Sequence, residues 1–289
     1  MDQQAQTTHN PYLEIWQRLR KNKLAIISLA ILAVFVLLAL TADVWFDYQS
    51  VVIKQDIPNR LQAPGPGHPF GTDQYGRDLL ARIVHGARYS LSIGVIAVAL
   101  AVIGGCVLGG ISGYYSGLTD SIIMRFVDIM LSIPPILLCI SIVAALGPGM
   151  VNLMIALVIA NTPGFTRLVR ASVLTVKDME YVEAARAIGL RDFRIIFKYV
   201  LLNCMGPILV NATMGIAGTI LTAAGLSFIG LGVQPPSPEW GAMLSGGRQY
   251  LRAAPHILFF PGAAIVIAVL CINFIGDGLR DALDPKLKD

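Results

Sequence analysis

The sequence predicts an all-α integral membrane protein with six transmembrane helices, and three observations support this fold class. First, 55% of the 289 residues are apolar and only 14% are charged, whereas an average soluble domain carries roughly a quarter charged residues. Second, six apolar stretches are each long enough to cross a hydrocarbon core about 30 Å thick. Third, the chain contains 28 glycines and 16 prolines, and both residue types are more frequent in membrane helices than in soluble ones.

The six predicted spans divide into one N-terminal anchor helix and a core of five helices. The anchor is not interpreted as a cleaved signal peptide, because its apolar run exceeds the roughly 7–15 residues of such a segment. The predicted spans cover residues 24–46, 91–115, 122–146, 150–168, 206–232 and 257–275.

The segments between the spans set the predicted organisation and orientation. With both termini inside, the inner segments carry 14 Lys and Arg residues and the outer segments carry seven. Because inner segments of membrane proteins are enriched in Lys and Arg, both termini are predicted to be cytoplasmic. The predicted parts are an amphipathic N-terminal segment 1–23, an outer segment 47–90 with an amphipathic helix, a membrane core 91–278 with the inner loop 169–205, and a tail 279–289.

Several classes of function are disfavoured by what the sequence lacks. The net charge of +4 is spread along the flanks of the apolar stretches, so no basic stripe for nucleic acid is expected. The four cysteines form no CxxC or Cys/His cluster, which leaves metal ligation without support. No GxxxxGK[ST] phosphate loop or hydrolase motif occurs, and therefore no catalytic residue is assigned. The chain is expected to be a transport subunit that relies on an external energy source.

Arg125 and Asp128 are the most prominent ionisable residues within a predicted span. At a spacing of three residues they share one helix face, and we predict that they form a structural intramembrane ion pair. A role in proton relay or substrate contact is the alternative.

The inner loop contains a short helical segment that ends in a glycine. Residues 180–187 are strong helix formers, and Gly189 can adopt the left-handed conformation that closes a helix. The segment Glu183-Ala184-Ala185-x3-Gly189 resembles the EAA motif of bacterial ABC-importer permeases. This resemblance implies that the loop docks into a cytoplasmic ATPase subunit, with Tyr181 as a further coupling residue.

Three other stretches resemble the dipeptide/oligopeptide/nickel permeases, and specifically their C-type subunit. They span residues 71–91, 234–241 and 276–285. The resemblance implies contact with an extracytoplasmic substrate-binding protein. The residues assigned to that contact are Gly71, Asp73, Gly76, Arg77, Asp78, Pro236, Glu239 and Trp240.

Two of these outer features also have simpler structural interpretations. Asp73, Arg77, Asp78 and Arg82 can form a charged helix that merely caps the bundle. Trp240 can act as an anchor at the membrane interface. The family also often carries a proline near Leu202, where this chain has none, and Pro207 is expected to take over that break.

The resemblance implies one permease of a heterodimer in the bacterial inner membrane, importing dipeptides or oligopeptides. Its partners would be a homologous second permease, two ABC ATPase subunits, the binding protein and membrane lipid. ATP and Mg²⁺ would bind to the ATPase subunits, and this chain would hold no cofactor or metal. An importer of nickel or another small solute is the alternative within the family. A secondary transporter or a membrane-embedded enzyme is the alternative outside it.

Overall fold

The computed structural model describes residues 16–283. Within this range the chain is helical, and its one β-type pairing is an isolated antiparallel bridge between Thr72 and Asp78. The predicted all-α class is therefore confirmed. The sequence positions 1–15 and 284–289, which include most of the predicted N-terminal segment and tail, lie outside the described residues.

Nine α-helices of eight or more residues occur within residues 16–283. They are α1 (Lys23–Leu40), α2 (Leu79–Tyr115), α3 (Gly117–Leu131), α4 (Pro135–Leu146), α5 (Met150–Val176), α6 (Glu180–Ala187), α7 (Met205–Phe228), α8 (Trp240–Gly247) and α9 (His256–Leu283). Shorter helical turns lie between them at Ala42–Trp45, Tyr48–Ile53, Ile57–Asn59, Asp192–Arg194, Ile195–Val200, Leu201–Cys204 and Arg248–Tyr250.

Five helical stretches of the described chain are long and apolar enough to cross a membrane. A sixth is obtained if α3 and α4 count as one span, although these two helices meet at an angle of 87°. The bend follows from Pro134 and Pro135, because a proline disfavours helical conformation in the residue before it and fits the first turn of a new helix. The predicted third span thus exists as a broken helix.

Several helices extend beyond the apolar stretches from which they were predicted. Helix α2 begins at Leu79 rather than at residue 91, because the Asp78 side chain accepts a hydrogen bond from the Ala81 N–H at 2.8 Å and caps the helix. Helices α5 and α9 likewise continue to Val176 and Leu283. Hydropathy marks the part of a helix that lies in lipid, and the polar turns that continue it carry no such signal.

The segment before α7 is irregular, as expected from the position of Pro207. A π-helical turn and a 3₁₀ turn precede the helix, which begins at Met205. Pro207 therefore lies in the first turn of α7, where its missing N–H needs no partner.

A close helix contact joins α2 to α5 through glycines at four-residue intervals. A Cβ atom built on Gly105 would lie 2.5 Å from the Phe165 Cβ, and one built on Gly109 would lie 2.5 Å from the Thr166 carbonyl oxygen. Residues four apart share one helix face, and small residues let membrane helices approach closely enough for dense packing. The absence of side chains on this face of α2 therefore sets the distance between the two helices.

We expect Gly109→Ala to destabilise the protein by about 1–3 kcal/mol, because the added methyl group meets backbone atoms that cannot rotate away. The measurement is the thermal unfolding midpoint of the purified protein. Gly164→Ala in α5 is the matched control, since its Cβ would have no atom within 4 Å and should not lower the midpoint. Equal midpoints for the two variants would contradict this account of the helix contact.

Candidate functional site

The connecting segments gather at two opposite ends of the helix bundle. One end, named the coupling end, holds residues 177–204 together with the start of α1 and the end of α9. The Gly278 Cβ position lies 2.5 Å from the Ala25 Cβ, which joins the end of α9 to the start of α1. Gly206 and Pro207, directly after residue 204, line one pocket with Arg280 and Leu283 of α9. The other end, named the outer end, holds residues 41–78 and 229–255. There the Gly71 Cβ position lies 2.8 Å from the His256 ring.

Helix α6 at the coupling end is fixed to the bundle by one apolar face. Val182 is fully buried and Ala185 is 3% exposed, and both belong to a cluster with Val173, Ile195 and Ile208. The expectation that Ala185 faces a partner subunit is therefore wrong for this structure. Val182 and Ala185 are three positions apart, so the amphipathic period of the helix turns both side chains toward the chain's own core.

The opposite face of α6 is open. Tyr181 is 37% exposed, and Glu183 and Ala184 are also exposed. Ile188 is 75% exposed directly after the helix, and Phe193 is 72% exposed in the next turn. Four of the five predicted coupling residues, the three named here together with Gly189, thus lie on an accessible surface that also carries two large apolar side chains.

Gly189 closes α6 in the way that the sequence predicts. Its φ is +76°, and its N–H and that of Leu190 donate to the carbonyl oxygens of Arg186 and Ala185. A left-handed residue with these two bonds is a common helix C-terminus and favours glycine. The chain is thereby turned from α6 into the irregular segment that leads to α7.

Tyr114, at the end of α2, ties the coupling segment to the membrane helices. Its hydroxyl donates to Asp192 Oδ1 at 3.0 Å and accepts from Arg186 Nε at 3.2 Å. The Arg186 guanidinium also lies 4.9 Å from the centre of the Tyr114 ring, within the range of a cation–π contact. Sequence reasoning missed Tyr114, because its two partners lie more than 70 positions away and no local pattern links them.

The predicted ion pair between Arg125 and Asp128 is wrong. Asp128 Oδ1 instead lies 2.6 Å from Arg167 Nη2 of α5, while Arg125 is exposed. A basic residue preceding an acidic one is the less favourable order on a helix, and α5 runs alongside α3. A second pair joins the same helices, because Arg170 donates two hydrogen bonds to Asp120 at 2.5 and 2.6 Å.

The segment before α2 at the outer end is a tight turn, so the predicted amphipathic helix over Asp73, Arg77 and Asp78 is wrong. Asp73 Oδ1 accepts from the N–H groups of Tyr75 and Arg77, and Asp73 Oδ2 accepts from Arg77 Nε at 2.6 Å. An aspartate that binds backbone N–H groups just ahead of it favours a turn over a helix. Asp73, Arg77 and Asp78 are each less than 10% exposed.

The glycines of this turn, Gly71 and Gly76, are both buried and have φ values of +80° and +75°. A Cβ atom on Gly76 would collide with the carbonyl of Asp56. These glycines therefore serve backbone geometry. Of the outer residues assigned to binding-protein contact, Pro236 is the one whose side chain is exposed.

Glu239 and Trp240 connect the second outer segment to α2. Glu239 is 1% exposed and caps α8 by accepting from the N–H groups of Gly241 and Ala242 at 2.9 and 2.8 Å, and from Ser90 Oγ at 3.2 Å. Burial raises the pKa of the Glu239 carboxyl, and the two backbone N–H groups partly offset this.

Trp240 is fully buried and donates from Nε1 to the Ile83 carbonyl at 3.0 Å. The expected position of Trp240 at the membrane interface is therefore wrong. The buried indole instead fixes the start of α8 against α2.

Two families match this chain, and the larger match decides its membership. Residues 105–289 match the family described as the binding-protein-dependent transport system inner membrane component. Residues 10–64 match the N-terminal transmembrane domain of oligopeptide transport permease C. The chain belongs to the binding-protein-dependent permeases of ABC importers. It is therefore a transport subunit of the membrane and not an enzyme, and such permeases act with a paired permease and ATPase subunits.

Named relatives resemble this permease over almost their whole length. A dipeptide transport system permease protein of Alkalihalophilus pseudofirmus is 49% identical over 98% of this chain and 92% of its own. A di/tripeptide transport system permease protein of Pseudomonas aeruginosa is 44% identical over 97% and 94%. A glutathione transport system permease protein of Pectobacterium atrosepticum is 42% identical over 98% and 93%.

The fold of the permease is also found in a solved transporter. A chain of the MetNI methionine ABC transporter in an inward-facing conformation aligns with a TM-score of 0.57 at 20% identity, covering 71% of this permease and 98% of that chain. At this identity the likeness concerns the fold.

Glu239→Gln should remove a pH-dependent contribution to the stability of the permease. Because the folded state holds the Glu239 proton more tightly than the unfolded state does, this contribution is largest below the ordinary pKa of 4.5 and is lost as the pH rises through the raised pKa. Glutamine cannot titrate, and it also loses one acceptor oxygen of the cap, at a cost of about 1 kcal/mol.

The measurement is the difference in melting temperature between wild type and Glu239→Gln at several pH values. We expect the advantage of the wild type to shrink from about pH 4 to about pH 7. An advantage that grows over that range would show that the carboxylate form is the one stabilised by the fold.

Proposed function

We propose that this permease is the C-type subunit of a peptide ABC importer and forms half of the translocation pathway with a homologous second permease. The observation that carries the proposal is the 49% and 44% identity, over nearly the full length, to permeases named for dipeptides and di/tripeptides. Because identity of this level extends through all the helices, the cargo class of these relatives is the best guide to that of this permease.

In this proposal the open face of α6 docks on a cytoplasmic ATPase subunit. The face combines one carboxylate, Glu183, with the exposed apolar side chains of Ile188 and Phe193. Exposed apolar residues beside a rigidly held helix are typical of a protein interface. ATP and Mg²⁺ would bind to two such ATPase subunits, which supply the energy that this chain cannot generate.

The proposed orientation places the coupling end in the cytoplasm of a bacterium, with both termini on that side of the inner membrane. The support is the twofold excess of Lys and Arg in the segments assigned to this side. The outer end would then meet a substrate-binding protein. Pro236 offers an exposed side chain for that contact, and the buried Arg82 side chain holds its backbone by donating to the Pro236 carbonyl.

Alternating access would follow from a movement of α6 relative to the partner permease. The buried face of α6 packs on the turn Ile195–Val200 and shares one apolar cluster with Val173 and Val176 of α5. The ion pairs Asp120–Arg170 and Asp128–Arg167 join α5 to α3. A displacement of α6 by closing ATPase subunits would therefore carry α5 and α3 with it. Rigid-body rocking of this kind is a common way to open a site alternately to two sides.

Glutathione is a second candidate cargo, because a relative named for glutathione transport is 42% identical to this permease. The two candidates share an amide backbone and free carboxylates, so one pathway could accept both. The deciding experiment reconstitutes the permease pair, ATPases and binding protein in proteoliposomes and measures ATP-dependent uptake of a labelled dipeptide, glutathione and nickel ions. Uptake of nickel alone would contradict the peptide proposal, and dipeptide uptake above the other two is expected.

Ile188→Glu should weaken the recovery of the ATPase subunit with the permease. Placing a charge in the apolar part of the docking face should cost about 2 kcal/mol of binding free energy, as for a residue central to an interface. Substrate-stimulated ATP hydrolysis should fall in parallel. Ile57→Glu is the control, because Ile57 is 48% exposed at the outer end and should leave both readouts unchanged. Normal recovery and hydrolysis with Ile188→Glu would refute docking at α6.

A further inference from the structure

A polar cavity of about 200 Å³ lies at the outer end, between the turn that precedes α2 and the segment around α8. Its walls carry two guanidinium groups and one carboxylate, that of Asp73, together with hydroxyl and amide side chains. The polar residues that matter here are Gln74, Arg77, Arg82, Ser227, Gln234 and Ser245. Such a concentration of hydrogen-bond donors suits an anionic group.

The charges around the cavity do not balance. Arg77 and Arg82 are 5% and 4% exposed, and the described ion pairs of both go to the single carboxylate of Asp73. Asp73 is 3% exposed and is engaged mainly by Arg77, whose Nε lies 2.6 Å from Oδ2. One positive charge therefore remains uncompensated in a buried place, which is costly unless a further anion is present.

Arg82 lines the cavity and has hydrogen-bond donors that the described chain leaves unused. Its Nη1 donates to the carbonyl oxygens of Val52 and Pro236 at 2.9 and 3.3 Å. Its Nε is buried and has no hydrogen-bond partner among residues 16–283, because Asp73 Oδ2 lies 3.4 Å away without suitable geometry. The Nε group faces the Asp73 carboxylate, so Nη2, for which no hydrogen bond is described among residues 16–283, is the donor left for a further anion. Guanidinium N–H groups bind carboxylate oxygens strongly.

We propose that this cavity binds a carboxylate group presented from the outer side. A monoanion matches the single excess charge, and a volume of about 200 Å³ suits a terminal group rather than a whole peptide, since sites for complete drug-sized ligands span about 300–1,000 Å³. The carboxylate can come from the C-terminus of a peptide cargo or from an acidic side chain of the outer binding protein. Binding itself is independent of the proposed function, whereas its use in transport rests on it.

The first test uses fluoroacetate as a carboxylate probe, with its ¹⁹F NMR signal titrated against the permease–ATPase complex in nanodiscs. Gln74→Glu adds a carboxylate to the cavity wall without a change in side-chain size, and Ser245→Asp adds one from α8. Each should weaken fluoroacetate binding at least tenfold, because the added carboxylate neutralises the excess positive charge of the cavity from within. Gln55→Glu is the matched control, because Gln55 is exposed on the same outer segment and does not line the cavity.

The second test separates the two sources of the carboxylate. If the cargo supplies it, wild type should transport a dipeptide better than the same dipeptide with a C-terminal amide. Gln74→Glu should lower the ratio of the two uptake rates at least tenfold. If the binding protein supplies it, Gln74→Glu should weaken binding-protein docking at least tenfold whether cargo is present or not. Gln55→Glu should do neither.

Fluoroacetate that fails to bind saturably, or that binds equally to wild type and both cavity variants, would overturn the proposal. Saturable binding with neither transport preference nor docking altered would mean an adventitious anion only and would also overturn it. Failure of the wild type to transport any peptide would instead count against the proposed function, and the NMR titration would still decide whether the cavity binds a carboxylate.

Discussion

The close approach of α2 and α5 is the contact on which the rest of this permease depends. It rests on the absence of side chains at Gly105 and Gly109, where a single methyl group would meet backbone atoms of α5. In lipid, apolar burial gives helices little reason to associate, so packing at short distance has to supply the attraction. Helix α2 extends over 37 residues and therefore carries this fixed geometry from one end of the bundle to the other.

Both functional ends are built on the two termini of α2. At the outer end, Asp78 caps the helix, and Ser90 and the Ile83 carbonyl bind Glu239 and Trp240. At the coupling end, Tyr114 holds the segment that contains α6. The sequence suggests that the charged residues of the outer turn are exposed, but in the structure they are buried and stabilise the turn. In the proposed importer, one rigid helix pair would thus link the surface that meets the ATPase to the one that meets the binding protein.

The sequence predicts the features that depend on local chemistry and fails where distant residues meet. Apolar stretches identify the spans, and the position of Gly189 after a helix former predicts its left-handed turn. The pairing of Asp128 was wrong, because its partner Arg167 lies 39 positions away on another helix. The burial of Ala185 and Trp240 was missed for the same reason, since a short amphipathic helix does not reveal which of its faces meets the chain's own core. The role of Tyr114 has no local signal at all.

Helices α2 and α5 are expected to move as one body when α6 is displaced. Spin labels at Ile103 of α2 and Leu174 of α5, which are 60% and 36% exposed, allow their separation to be measured by pulsed electron paramagnetic resonance. The complete transporter is compared without nucleotide and after vanadate trapping of ATP, with trapped nucleotide verified separately. If α2 and α5 move as one body, the distance between the labels is the same in both states. A change as large as one helix turn, about 5 Å, would contradict it.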